Sequence, residues 1–440
     1  RFNRAESCSD ALELLNNEAL AVVELKCVLN RFAQIKIQYY VRRKRKMQNR
    51  LFDIQEAVAE SSDELIALRR DFHAHPELGL QEYRTAQIIE EYLNKLKIPT
   101  KRYTETGVVG ILTGGRPGKT VMLRSDIDAL PIEEQTNLPF ASQTPGVMHA
   151  CGHDGHTAIQ LIVAKILAQY REKLPGNIVF LFQPNEEDAG AELMIQAGVL
   201  DDTKPDAVFG LHVWPRISSG KVGILAGPMM ASAYYFNMRI GGKGGHGGHP
   251  DRAINPIDAA MNVLQGIRTM VSTEWNAIYP TIITVCKIHA GEKNIVIPET
   301  LELEGSIRCL HENDAQVRER FAAIAKEICH AHRCTCELSF KCGNTLVKND
   351  ENLAKMATAV AAELLGEENI QSGREYATMG GDDFAEFMQH IPGLYYYIGS
   401  ANPEKKTDTE NHNPRFLLDE EVLPIGAEME IGLVLKYLGA

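Results

Sequence analysis

Ile178-Val179-Phe180-Leu181-Phe182-Gln183-Pro184-Asn185-Glu186-Glu187 sets five apolar residues before a polar end that closes on two carboxylates. The apolar run reads as a strand that delivers acids at its carboxyl end. The flanking sequence repeats the theme. Residues 120–124 form a β-rich run ending in Ser125-Asp126-Ile127-Asp128, and residues 207–211 form another ending in His212. A helical pattern over residues 157–170 lies between the first two of these strands. Strands alternating with helices predict a largely parallel, helix-flanked sheet, and the carboxyl edge of such a sheet is where sites are built.

A second segment points to the same edge. Met148-His149-Ala150-Cys151-Gly152-His153-Asp154-Gly155-His156 holds four soft or borderline metal ligands within nine residues. Cys and His bind zinc and its neighbours, and Gly152 and Gly155 let the backbone fold around an ion. A solvated His-rich turn is the plainer reading of this stretch in isolation. Its agreement with the strand-end acids favours a metal site. Adjacent Glu186 and Glu187 are expected to divide the work, because neighbouring side chains on extended backbone point apart. One can bind metal while the other handles protons.

At 440 residues, with 44% hydrophobic and 24% charged residues, the chain predicts a globular, soluble protein of two domains. A net charge of -12 argues against nucleic acid as a partner. No run approaches the roughly 18 apolar residues that a membrane span needs. Nine cysteines without a framework spacing fit thiols in a reducing cytoplasm, and Cys334, Cys336 and Cys342 read as ordinary small residues in or near strands. Residues 11–30 look like an amphipathic helix. The basic run Arg42-Arg43-Lys44-Arg45-Lys46 reads as a solvated helix end or translated upstream sequence, and Met47 after it is a candidate start.

Further along, Ser61-x-x-Glu64 has the form of a capping box before a helix that Pro76 stops, and a second helix is expected over residues 85–96. Past Gly227 the texture changes: a strand at residues 232–240, a Gly/His loop, a helix at 256–274, strands at 281–288 and 301–308, and a helix at 314–332. These form an α+β unit that looks inserted. The first pattern resumes with a helix at 352–365, a strand at 394–398 and a final helix beyond Leu423. Gly242-Lys243-Gly244-Gly245-His246-Gly247 satisfies G-x-G-x-x-G, but Gly248-His249-Pro250 stands where a helix should open, so a dinucleotide site is rejected.

Arg70-Asp71-Phe72-His73-x-x-Pro76-Glu77-Leu78-Gly79 with Glu82 and Thr85, Arg124 to Pro131, Met148 to His156, Phe182-Gln183-Pro184-x-Glu186-Glu187 and Gly244-Gly245-His246 occur in that order. Together they resemble the amidohydrolase branch of the aminoacylase and glutamate carboxypeptidase superfamily, which includes hippurate hydrolases, auxin-conjugate hydrolases and N-acyl amino acid deacylases. The resemblance runs from about Ser61 to the C-terminus. It implies an α/β fold, a three-layer αβα metallohydrolase domain split by a smaller α+β lid and dimerisation domain. The implied segments are 1–46 as an extension of unknown role, 47–227 and 345–440 as the catalytic domain, and 228–344 as the lid.

The resemblance also implies roles. Two divalent ions, zinc, manganese or cobalt, are expected on Cys151, His153, Glu187, His212 and His412, with Glu186 as general acid/base. Asp128 matches a position that orients a ligand, and His73 and His75 are expected to make structural hydrogen bonds. His246 matches a residue that polarises the scissile carbonyl, often in a neighbouring subunit's site. Asn294 and Arg308 match positions that hold a substrate carboxylate or carbonyl. Gly381-Asp382-Asp383-Phe384 departs from the commoner Glu-Asp-Phe form by one shortened side chain. The implied reaction is hydrolysis of an N-acyl amino acid: water acidified by the ions loses a proton to Glu186, attacks the amide, and Glu186 returns the proton to the amine. The expected partners are that small substrate and a second copy of the chain in a homodimer or higher oligomer, with no nucleic acid or membrane. Two rivals remain open: a hydrolase with Cys151 as nucleophile and His153 as base, and a metal-dependent binding protein without catalysis.

Overall fold

The computed structural model describes residues 51–440. The expected helix at 11–30, the basic run and Met47 lie outside them. The strands are β1 Thr100–Arg102, β2 Val108–Thr113, β3 Arg116–Asp126, β4 Pro175–Gln183, β5 Ala207–Ser218, β6 Val222–Gly223, β7 Gly227–Met230, β8 Ser232–Gly241, β9 Gly245–His246, β10 Thr281–Ala290, β11 Val296–Ile297, β12 Thr300–Cys309, β13 Thr335–Asn344, β14 Val347–Asn349, β15 Ile370–Gln371 and β16 Gly393–Ala401.

Eight of them form one mixed sheet in the order β1-β2-β4-β3-β5-β16-β6-β15. Its centre, β4-β3-β5-β16, is parallel. Both faces are covered. The helix His153–Gln169, apolar nearly all round, packs between helices Ser62–Ala74 and Leu423–Leu438 on one side. On the other, Val179 and Leu181 of β4 and Tyr395 and Tyr397 of β16 bury against Ala191, Met194, Phe384 and Phe387. Each such side chain contributes roughly 1.5–3 kcal/mol when fully buried. The alternating strand and helix pattern thus yields the αβα layers that the sequence implied.

Between β7 and β14, which pair antiparallel, the chain builds a second sheet in the order β10-β12-β8-β13. Along β8, Phe236, Met238 and Ile240 face inward and Tyr235, Asn237 and Arg239 outward, the period of two that a half-buried strand requires. The inward set packs against Val263, Ile267 and Met270 of helix Pro256–Thr273 and against Val317, Phe321 and Cys329 of helix Asp314–Ala331. This is the inserted α+β unit.

Two local expectations are corrected. Ser61 makes no side-chain capping bond to the helix Ser62–Ala74. Glu64 instead accepts from Tyr92 Oη at 2.8 Å and pairs with Lys165 at 2.5 Å, so tertiary partners displace the capping box. Strand β5 does not end at His212 but continues to Ser218. It overruns β3, whose last partner is Gly210, because it keeps pairing with β16, where Tyr397 stands opposite His212. His212 therefore still emerges at the carboxyl edge of β3.

Candidate metal centre

Gly152 precedes the helix His153–Gln169 with φ 97°, and a Cβ there would lie 2.3 Å from Val213 Cγ2. Only glycine satisfies both constraints, and the turn it permits sets Cys151 and His153 on the carboxyl edge. Ring hydrogen bonds then fix which nitrogen of each histidine faces the edge. His153 Nδ1 lies 3.0 Å from the Asp128 backbone carbonyl and 3.3 Å from its carboxylate, and His212 Nδ1 lies 2.7 Å from the Val213 carbonyl. Both Nε2 atoms are left for a ligand role. His156 is used up, with Nδ1 2.6 Å from Asp126 and Nε2 accepting from the Val213 N–H at 3.0 Å. His149 is buried and belongs to no candidate ligand cluster.

After β4 the backbone makes a tight 3-10 turn, Glu186–Asp188, flanked by Asn185 at φ 57° and Ala189 at φ 67°. The extended backbone expected at Glu186 and Glu187 is therefore corrected to a turn. Glu82, fully buried, anchors it by accepting from Asn185 N at 2.9 Å, and Thr106 donates to the same carboxylate at 2.7 Å. Burial pushes Glu82 up to about 7. Asp128 accepts from Glu187 N at 3.2 Å. His412 comes from the far end of the chain with φ 62°, its N–H bonded to the Ala150 carbonyl at 2.8 Å.

Of five groups among the described residues whose donor atoms lie within 4.8 Å of one another, three join the expected ligands: Cys151, His153 and His212; Cys151, Glu187 and His412; His153, Glu186 and Glu187. Thiolate, imidazole and carboxylate are the donor set of a zinc-type site, and the sharing of Cys151 and Glu187 suits a pair of ions. Two further observations fit a cation. His153 Nε2 and Glu187 Oε1 are buried without a hydrogen-bond partner, although Oε1 lies 3.1 Å from His412 Nε2. Cys151 and then Glu187 push His412 up to about 10, so the local field favours positive charge. His212 is held well below the ordinary imidazole value by burial and His156, which keeps it neutral.

Glu186, with its side chain 11% exposed, lies between the two sets of acids: its carboxylate is 3.9 Å from His153 Nε2 and also groups with Asp382 and Asp383. Burial, then Asp382, Glu187 and Asp383, raise its carboxyl well above the usual range. The sequence reading missed what stabilises this group of acids. Buried Arg124 donates to Asp126 at 2.6 Å, Asp383 at 2.7 Å and Gln183 at 2.8 Å, and lies 3.3 Å from Asp382. Tyr395 Oη donates to Asp382, and the Ala191 N–H donates to Asp383 at 2.8 Å. The shortened Asp382 is thus fully engaged. Only the occurrence of Arg124 and Asp126 at one strand end hinted at this.

A cavity of ≈ 340 Å³ lies over the cluster, lined by Cys151, Glu186, Glu187, His212 and His412 below and by Tyr235, Arg308 and Lys341 of the second sheet above. Arg308 reaches it as expected, donating to the Met379 carbonyl at 3.1 Å. His246 and Asn294 do not line it. Both are exposed on the inserted unit, at β9 and just before β11. His73 and His75 make the structural bonds expected of them: His73 lies 2.7 Å from Asp154 and 3.3 Å from Glu134, and His75 2.8 Å from the Asp71 carbonyl.

Residues 122–436 match the model of peptidase family M20/M25/M40. The chain is 37% identical over 391 residues to thermostable carboxypeptidase 1 of Saccharolobus solfataricus, covering 86% of this chain and 97% of that one. It is 42% identical over 301 residues to an N-acyl-L-amino acid amidohydrolase of Geobacillus stearothermophilus, covering 68% and 81%. Among solved structures, the YxeP protein of Bacillus subtilis, described as a dinuclear metal-binding peptidase, superposes with a TM-score of 0.76 at 34% identity, covering 87% of this chain and 99% of that one.

Proposed function

The chain belongs to peptidase family M20/M25/M40 and is a hydrolase of that family, and from that premise we propose that it cleaves the amide bond of N-acyl amino acids or amino acid conjugates. The observation that carries the reading is that Cys151, Glu187, His212 and His412 line one cavity together with Glu186, while buried His153 groups with them just beneath. The five would hold two divalent ions, zinc, manganese or cobalt. When bound, such ions polarise a carbonyl and acidify water.

The protein's own groups do the rest. Glu186, raised by burial and by Asp382, accepts the proton of the attacking water and passes it to the departing amine. Asp128 keeps His153 in the required tautomer. Arg308 holds the substrate carboxylate with its planar fork. His246 and Asn294 belong to the reaction through a second copy of the chain, because neither reaches the cavity of its own chain. Exposed Ile282, Ile288, Ile295 and Val296 on the same unit supply the apolar surface that such a copy covers. In this reading 228–344 is the lid, 47–227 and 345–440 form the catalytic domain, and the compartment is the cytoplasm, where Cys151 stays reduced. No helix among the described residues is long and apolar enough to cross a membrane.

A cysteine nucleophile is the weaker reading. Cys151 Sγ does lie 3.4 Å from His212 Nε2, but that pair leaves Glu187 and His412 without a task. Treatment with a chelator, followed by readdition of zinc, manganese or cobalt and assay against a panel of N-acyl amino acids, separates the two. The metal reading expects activity to vanish and return; activity that survives thorough metal removal overturns it.

A further inference from the structure

The upper wall of the cavity carries, besides Arg308, a second cation that the proposed reaction does not use, Lys341. Lys341 of β13 pairs in register with Tyr235 of β8, and Arg308 of β12 pairs with Ala233, two residues away on the same strand. Paired residues stand on the same face of a sheet, as do residues two apart along a strand. Arg308, Tyr235 and Lys341 therefore share the face turned away from the buried Phe236 and Met238, and all three line the cavity. With one strand between them and a two-residue offset, the two cations stand roughly 12 Å apart at their Cα atoms.

Neither cation has a carboxylate partner among the described residues. Arg308 is half-buried, lines the cavity and gives the protein one hydrogen bond, from Nη1, which leaves the rest of its fork without a protein acceptor among the described residues. Two other cations of the same unit do have carboxylate partners, Lys287 with Glu304 at 2.6 Å and Arg318 with Asp314 at 3.1 Å. Tyr235 lies between the two cations, 47% exposed, with its ring against Gly343, where an added Cβ would come within 2.8 Å. The opposite wall holds Glu186, Glu187, Asp382 and Asp383. Asp382 and Asp383 are already engaged by Arg124 and Glu187 belongs to the proposed ion site, so the unpaired cations of the roof are the protein charges left to attract an anionic group.

Building on the amidohydrolase reading, we propose that the cavity selects amides with two anionic groups, one carboxylate on Arg308 and a second on Lys341, the connecting segment lying against Tyr235. The second carboxylate belongs either to the side chain of the released amino acid or to the far end of the acyl group. A bond to a charged partner in a partly enclosed site is large enough for about a ten-fold preference over the uncharged isostere.

The experiment measures kcat/KM on the metal-loaded enzyme for two matched pairs: N-acetylglutamate against N-acetylglutamine, and an N-succinyl amino acid against its succinamic isostere. At least one pair should favour the acid about ten-fold, and the favoured pair identifies which side carries the charge. In Lys341→Gln that ratio should fall to near one, and in Lys341→Arg most of it should return, with melting temperature unchanged in both. Ratios within two-fold in both pairs overturn the proposal, as does a preference that survives Lys341→Gln. If all four compounds are cleaved equally, the amidohydrolase reading stands and only the charge selection fails. If none of them, nor any neutral N-acyl amino acid, is cleaved with any metal, both fail together.

Discussion

The floor and the roof of the cavity hold charge in opposite ways. On the floor, Arg124 is 2% exposed and surrounded by Asp126, Asp382, Asp383 and Gln183, every contact at 3.3 Å or less. On the roof, Arg308 and Lys341 face open space with no acidic partner. A buried cation is retained only when its environment is fully paired, so the floor is rigid and its residues are interdependent. Groups that keep their hydrogen-bonding capacity unused are available to something that comes and goes. The comparison separates residues that fix the reaction geometry from residues that choose the substrate.

The sharpest way to break this division concerns a residue of the inserted unit that lies outside the cavity yet is assigned to the chemistry. His246→Ala should lower kcat by about 10²–10³, the range for removing a group that stabilises a developing oxyanion. Because His246 lies outside its own cavity, co-expressing His246→Ala with Glu186→Gln should restore activity in mixed dimers, where one site has both residues intact. Confirmed mixed dimers without recovered activity would show that His246 acts within its own chain or not at all.

Next in size is stability. Arg124→Gln should cost about 3–5 kcal/mol in denaturant unfolding, since it strands several buried carboxylates. Lys341→Gln should stay within about 0.5 kcal/mol. Comparable losses in the two variants would erase the distinction between floor and roof.

The smallest expected effect lies behind the floor. Glu430 is 2% exposed in helix Leu423–Leu438, where burial pushes its carboxyl up to about 8, and neither its Oε2 nor Tyr396 Oη has a partner. Below its ordinary value the group is protonated both folded and unfolded. Between that value and about 8 only the unfolded chain ionises, so stability falls as pH rises through this window, by at most about 1.4 kcal/mol per pH unit. Urea midpoints across pH 5–8 should show Glu430→Gln gaining on the parent as pH rises. A constant gap between them would assign Glu430 an ionised partner that the structure does not contain.

The same comparison explains what could be read from the sequence. The floor was legible because its residues are contiguous: Cys151 and His153 flank one glycine, and Glu186 and Glu187 end one apolar strand. His412 was found only through the family resemblance, since nothing local distinguishes a histidine in a polar loop. Arg124 pairs with acids 259 positions away, a relation that no local pattern contains. Cross-strand register decides that Lys341 stands opposite Tyr235, and register is set by tertiary pairing. The expected division of Glu186 from Glu187 rested on extended backbone, which the structure replaces with a turn. A 3-10 turn separates their environments, sending one toward Asp382 and the other toward His412.

That division is the centre of the account, and bound metal tests it most directly. Glu186→Gln and Glu187→Gln, purified alike and loaded with the activating ion, should be compared by elemental analysis and by turnover of an N-acyl amino acid. Glu186→Gln is expected to keep close to the parent's metal content while losing about 10²–10⁴ in kcat, the contribution of a positioned general acid/base. Glu187→Gln is expected to lose metal. Equal metal depletion in the two variants would contradict the assignment of separate roles to these neighbouring carboxylates.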